Sequence, residues 1–245
     1  MERNLEKILG FNVDLFNFQE ALKYITKKMD DGIGAQVVTI NPEMIEFANK
    51  SPELAPILKN ADLIIPDGIG IKIALKIKGI DQQQIPGIEF AKETIKICSE
   101  KNYPIALIGA KEEIITKAAE NLKKDHANLN IGYIHNGFFD SEYEQIILEE
   151  LQKVQPKLVL VALGSPKQEL LITRLKPELP QTIFIGVGGS FDVWSGEVKR
   201  APMIYRKLGC EWLYRTLKQP SRFKRIFPTL PLFLLKVLKE QALRR

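Results

Sequence analysis

The sequence predicts an α/β fold: a Rossmann-like parallel sheet with helices on both faces, followed by a helical, basic C-terminal appendage. Three observations predict it. Short apolar runs alternate with helix-length segments along most of the 245 residues. Those runs are dense in Val, Ile and Leu with no polar alternation, as expected of strands covered on both faces. The charge is split: residues 199–245 hold 13 Lys/Arg against 2 Asp/Glu, a net +11, whereas 1–198 hold 22 against 28, a net −6. The expected organisation is therefore an α/β domain over 1–198 and a basic amphipathic appendage over 199–245.

Helical periodicity covers 17–31 and is followed by the buried strand AQVVTI, 35–40. Pro42 then marks a helix start. ADLIIPDG, 61–68, is a second strand closing on a turn at Asp67 and Gly68, with helical patterns at 69–79 and 87–101. YPIALIGA (103–110) is a strand ending near Gly109, and 111–124 form an amphipathic helix. NLNIGYIHNG (128–137) is a strand ending in a turn, and 141–154 a helix. KLVLVALGSPKQE (157–169) reads as a strand, a turn at Gly164 and a helix; TIFIGVGGSFD (182–192) is a strand with a glycine-rich exit. In open parallel sheets ligands bind at the carboxyl ends of strands. Thr39, Asn41, Asp67, Gly109, Asn136, Gly137, Gly164, Gln168, Gly188 and Asp192 all fall at or just beyond such ends.

Composition narrows the function. Two cysteines, Cys98 and Cys210, make no disulfide framework and fit a reducing compartment. The charged N-terminus has no apolar signal-peptide core, and no run of 18 apolar residues occurs. The expected location is cytoplasmic, held at the inner face of the membrane. There is no GxxxxGK[ST], GVGGS lacks the third glycine of GxGxxG, and no Asp-x-Asp is present. His126 and His135 lack metal-ligand spacing, so no metal is expected.

Each candidate has a structural and a functional reading. Asp67 before Gly68 suits a turn; at a strand end it equally suits a general base. GSPKQE can be a plain helix start, or an anion-binding amide cluster with Gln168 on a sugar. Gly188 and Gly189 can form a tight loop or let backbone approach a diphosphate, with Asp192 just beyond. In the tail, Arg215, Arg222 and Arg225 lie among Trp212, Tyr214, Phe223 and Phe227. That is either a solvated basic face or a surface for an anionic bilayer and diphosphates.

IIPDGIG (64–70), VALGSPKQE (161–169), GVGGSFDVWSGEVKRAP (186–202) and LGCEWLYRTLKQPSRFKR (208–225) together resemble the WecG/TagA/CpsF glycosyltransferases, glycosyltransferase family 26. The resemblance implies an inverting, metal-free transfer of a sugar, N-acetylmannosamine in the best-known members. The sugar passes from a UDP-sugar to N-acetylglucosamine-diphospho-undecaprenol in teichoic acid or other surface-polysaccharide synthesis. The UDP-sugar is a substrate, and no cofactor is implied. By the same resemblance Asp67 is the base. Thr39, Asn41 and Gln168 match the family's binding residues, and Arg215, Arg222 and Arg225 match arginines that close over the diphosphate. One segment departs: the family commonly reads ERVxGxDL where this chain reads QQIPGIEF, placing Gln84 at the arginine and Glu89 at the aspartate. The alternative is a soluble enzyme on a nucleotide-sugar or phosphorylated substrate, its tail forming a homo-oligomer interface. The acidic body argues against nucleic acid as the partner.

Overall fold

The computed structural model describes residues 2–203, 205, 214 and 220–243, with backbone alone for 220–228. Six strands form one parallel sheet: β3 (Ala35–Ile40), β4 (Leu63–Pro66), β5 (Ile105–Gly109), β6 (Ile131–His135), β7 (Leu158–Ala162) and β8 (Ile183–Gly186). Their order across the sheet is β4-β3-β8-β7-β5-β6, and every neighbouring pair is parallel. The helices are α1 (Phe18–Asp30), α2 (Pro42–Ala48), α3 (Leu54–Lys59), α4 (Ile69–Ile77), α5 (Gly87–Glu100), α6 (Glu112–Asp125), α7 (Ser141–Val154), α8 (Lys167–Leu175), α9 (Ser190–Trp194) and α10 (Pro220–Ala242).

The largely apolar strands are explained by helices on both faces. Along β3 to β8, alternate residues enter different cores. Val37, Leu63, Ile65, Leu107, Leu160 and Ile185 face α1, α5, α6 and α9. Val38, Ile40 and Ile64 face α2, α3, α4 and α10, while Ile108, Val159, Val161 and Phe184 face α7 and α8. Cys98 is fully buried in the first of these cores, and burial pushes its thiol up to about 12. Cys210 lies outside the described residues.

An additional hairpin precedes the sheet: β1 (Leu5–Ile8) pairs antiparallel with β2 (Phe11–Asp14). Its turn places Leu9 and Gly10 at φ 48° and 86°. Both positive φ values suit a two-residue hairpin turn, but leucine is an unusual occupant of the first position. The hairpin is fixed by Asp14, which is fully buried. Its carboxylate accepts two 2.7 Å hydrogen bonds from Arg3 and one of 2.7 Å from the Ile64 N–H.

The C-terminal helix α10 joins the body rather than standing apart from it. Phe233 and Val237 are fully buried in the core with α2 and α4. Lys236 reaches Glu46 on α2 at 2.5 Å, and Glu240 lies 3.8 Å from Lys78 and accepts from the Leu9 N–H at 3.4 Å. Opposite that buried side, Leu232, Leu235 and Leu238 are exposed. Among the described residues no helix is long and apolar enough to cross a membrane.

Candidate active site

The sheet order fixes where a ligand can lie. From β5 the chain moves outward to β6, and from β7 it moves inward to β8, although β5 and β7 are neighbours. Their connections diverge, opening a crevice at the carboxyl edge between them. Gly109, Ala110 and Gly164 stand at this crevice. Gly109 has φ +127°, and a Cβ there would lie 2.4 Å from the Ala162 oxygen, so only glycine allows β5 and β7 to approach so closely.

At the far edge, β3 and β4 end in the most polar corner. The Asp67 N–H donates to the Ile40 oxygen at 2.9 Å, tying the two strand ends together. Asp67 is half-buried, and Gly68 takes φ +80° to turn the chain into α4. Asn41 caps α2, its side-chain oxygen accepting from the Met44 N–H at 3.0 Å. Thr39 packs under the start of α5: a Cβ on Gly87 would sit 2.7 Å from the Thr39 methyl. The Ile85 N–H donates to the Pro66 oxygen at 2.7 Å, drawing 82–87 across the end of β4. The side-chain oxygen of Gln84 is buried there without a partner among the described residues. Arg200 closes this side through a 2.5 Å bond to Glu89 in the first turn of α5.

Between these ends, β7 and β8 are bridged by one side chain. Gln168 is 5% exposed; its amide oxygen accepts from the Gly188 N–H at 3.1 Å and its NH₂ donates to Glu169 at 2.8 Å. A Cβ on Gly186 would fall 2.4 Å from that NH₂. Gln168 thus ties the loops after β7 and β8 together. Glu169 is 2% exposed, and desolvation raises its carboxyl pKa despite the hydrogen bond from Gln168. Gly189 is exposed, and Asp192 stands next to it on α9, its carboxylate 3.4 Å from where a Gly189 Cβ would be.

Asn136 and Gly137 also have defined partners. Asn136 donates to Glu112 at 2.9 Å and accepts from the Phe138 N–H at 2.8 Å; the Gly137 N–H donates to the Ala110 oxygen at 2.8 Å. Thr39, Asn41, Asp67 and Gly68 are brought together; Gly164, Gln168, Gly188, Gly189 and Asp192 form a middle group, and Gly109, Asn136 and Gly137 the far one. Arg215 lies outside the described residues, as do the side chains of Arg222 and Arg225. Sequence reasoning passed over Gly70. A Cβ there would meet Pro42 at 2.4 Å and Leu230 of α10 at 2.8 Å, so α10 passes beside the Asp67 loop. The second glycine of DGIG carried that signal, read only as part of a helix. Among the described residues no group of three or more His, Cys, Asp or Glu is arranged to hold a metal ion.

The chain is similar to known proteins along most of its length. The chain is 34% identical over 227 residues to the N-acetylglucosaminyldiphosphoundecaprenol N-acetyl-beta-D-mannosaminyltransferase of Bacillus subtilis (strain 168), covering 92% of this chain and 88% of that one. The protein of the same name from Bacillus spizizenii is 34% identical over 217 residues, covering 88% and 83%. The one from Staphylococcus aureus (strain MW2) is 33% identical over 204 residues, covering 83% and 79%. The family model for glycosyl transferases of the WecG/TagA/CpsF type matches residues 6–245. A parallel sheet with a polar carboxyl edge, a family match over nearly the whole chain and relatives aligned along most of their length make this protein a glycosyltransferase of the WecG/TagA/CpsF family.

Proposed function

We propose that the protein transfers N-acetylmannosamine from a UDP-sugar to the N-acetylglucosamine of an undecaprenyl-diphosphate-linked acceptor, as a step in wall teichoic acid or related polysaccharide synthesis. The observation that carries this reading is the spacing along the carboxyl edge. Asp67 just beyond β4 and Gly109 at the end of β5 are four strand intervals apart, about 19 Å at about 4.8 Å per interval. A stretched nucleotide diphosphate sugar has that reach. The nucleoside lies at the β5/β7 crevice, the diphosphate passes Gly164 and Gly188–Gly189, and the sugar ends near Thr39 and Asp67.

In this arrangement Asp67 takes the proton from the acceptor hydroxyl as it attacks C1 of the donor sugar. The C1–oxygen bond to the diphosphate breaks on the opposite face, giving inversion in one step. The UDP oxygen carries away the bonding pair, and backbone N–H groups with appendage arginines balance its charge. The direction of α10 supports the last part. Leu230 lies beside Gly70 near the carboxyl edge, whereas Glu240 reaches Leu9 and Lys78 beyond the other end of α4. The ten residues preceding Leu230 on α10 therefore extend about 15 Å past the Asp67 loop. Arg222 and Arg225 are in that extension.

Gln84 bears on the substrate. A buried carbonyl without a partner costs about 1–3 kcal/mol, offset when a ligand N–H or O–H donates to it. Here the chain has a neutral amide where the family commonly has a cation, so Gln84 brings no positive charge to this corner. The reading that the appendage meets an anionic membrane is supported by the exposed Leu232, Leu235 and Leu238 together with its basic charge.

UDP release tests the transfer reading, measured with UDP-N-acetylmannosamine and a short-chain lipid-diphosphate N-acetylglucosamine. Release that requires the acceptor supports it; release with neither this donor nor other UDP-sugars sinks it. Flotation with anionic vesicles tests the appendage by comparing the full chain with its L232S/L235S/L238S variant, which changes only exposed leucines. Equal flotation of both removes the membrane role.

A further inference from the structure

A carboxylate is buried in the first turn of α8 with no cation to hold it. Glu169 is 2% exposed. Burial is the largest influence on its pKa, and what opposes burial is hydrogen bonding, not a positive charge. One of its oxygens accepts from the Gln168 NH₂ at 2.8 Å; the other is buried without a hydrogen-bond partner among the described residues. An acid in a first helical turn ordinarily complements the helix dipole from solvent. Taking a carboxylate out of water costs more than that complement returns. The dipole therefore does not account for a buried Glu169.

The neighbouring amide does. The Gly188 N–H donates to the Gln168 side-chain oxygen at 3.1 Å. Turned by half a rotation, the amide would aim its NH₂ at that N–H, donor against donor. An ionised carboxylate accepts and cannot donate, so Glu169 takes the NH₂ and leaves the oxygen for Gly188. Gly186 clears the space, since a Cβ there would fall 2.4 Å from the amide nitrogen. The loop served by this amide is short and tied at both ends. The Val187 N–H donates to the Val161 oxygen at 2.8 Å, and the Ser190 N–H and hydroxyl donate to the Val187 oxygen at 3.1 and 2.7 Å. Gly188, at φ +49°, and the exposed Gly189 lie between those ties.

We infer that Glu169 is a positioning residue: through the Gln168 amide it holds the Gly188–Gly189 loop in the shape that receives the donor's diphosphate. The identity of that ligand rests on the donor reading above. Glu169 acts only through Gln168, because its own carboxylate is closed off from solvent. Its burial is then a cost the fold carries for the orientation of one amide.

The experiment uses the full chain and the variants E169L, E169Q, Q168L and Q168L/E169L. Donor KM and kcat come from UDP release, beside Tm and hydrogen exchange of the Gly188 amide followed by NMR. E169L should raise the donor KM about tenfold with kcat within a few-fold, and should speed Gly188 exchange. Its Tm should hold, because an apolar side chain replaces a buried charge of similar size. E169Q keeps an accepting oxygen and should stay within about threefold of the parent KM. On the Q168L background E169L should add nothing, since the amide it acts through is gone. Parental KM and parental Gly188 exchange in E169L would overturn the inference. So would a full additional rise in KM in the double variant, or a joint fall of Tm and kcat in E169L, which marks a residue that only supports the fold. A parent that turns over no UDP-sugar sinks the donor reading, while Gly188 exchange, read without any donor, still decides whether Glu169 positions the loop.

Discussion

Truncating Phe233 to alanine should detach the C-terminal helix from the body without unfolding the sheet. Phe233 is fully buried and faces the core shared with α2 and α4. A buried phenylalanine removes roughly 150–250 Å² from water, and at about 25 cal/mol per Å² that is about 4–6 kcal/mol. Alanine keeps a little of this, so a cost of about 3–5 kcal/mol is expected, a shift of about 10²–10⁴-fold in the docking equilibrium. Val237, the Lys236–Glu46 pair and the Glu240 contacts remain, but each is smaller than the ring. Native-state hydrogen exchange reads the result. Amides of 230–242 should exchange faster while β5, β7 and β8 keep their protection, because no strand residue depends on α10 for its ladder. Turnover with a lipid-linked acceptor should fall in step, since the basic extension is then no longer held beside Asp67. Equal loss of protection across the sheet would show that α10 is not a separable unit. Unchanged exchange in 230–242 would show that Phe233 does not dock it.

Three further outcomes follow. Gly109→Ala meets the Ala162 oxygen at 2.4 Å with φ at +127°; it should lower stability by about 1–3 kcal/mol or more, visible as a fall in Tm. Gln168→Leu leaves the Gly188 N–H without its acceptor, so the β7 and β8 loops should loosen at a cost of about 1–3 kcal/mol. The expected sign is a raised KM for the donor with a smaller change in kcat. Glu169 titrates above its ordinary value because it is buried, so the folded state holds its proton over a range where the unfolded chain has lost it. Its contribution to stability therefore falls as pH rises from the unfolded pKa through the folded one. Glu169→Gln should flatten that part of a denaturation-versus-pH curve; an unchanged slope would contradict the burial argument.

The sheet was readable because its signal is local. LIIP, LVLVA and IFIG are continuous apolar runs, and AQVVTI is apolar but for Gln36 and Thr39, as expected of strands covered on both faces. The hairpin was not readable. LEKI and FNVD are short, and the turn between them uses Leu9 where Asn or Asp would have marked a positive φ. The strand order was likewise hidden, because β8 inserting between β3 and β7 is decided by long-range packing. The site shows the same division. Positions at strand ends were found from the alternation, but their partners were not. Gln168 looked like a ligand contact, and only the fold shows its amide bridging Gly188 and Glu169. Gly70 and Gly87 looked like helix residues. Their purpose, close contact with Pro42, Leu230 and Thr39, comes from elements far away in sequence.

The role of Asp67 is the central claim, and one comparison tests it most directly. Asp67→Asn keeps the shape of the side chain and the backbone N–H bond to the Ile40 oxygen, but removes the base. Turnover is followed by UDP release with the lipid-linked acceptor, beside calorimetric UDP affinity and a thermal melt for the same preparation. The account predicts a loss of about 10²–10⁴ in kcat with UDP affinity and Tm preserved. Near-parental turnover in a folded, UDP-binding Asp67→Asn protein would contradict it.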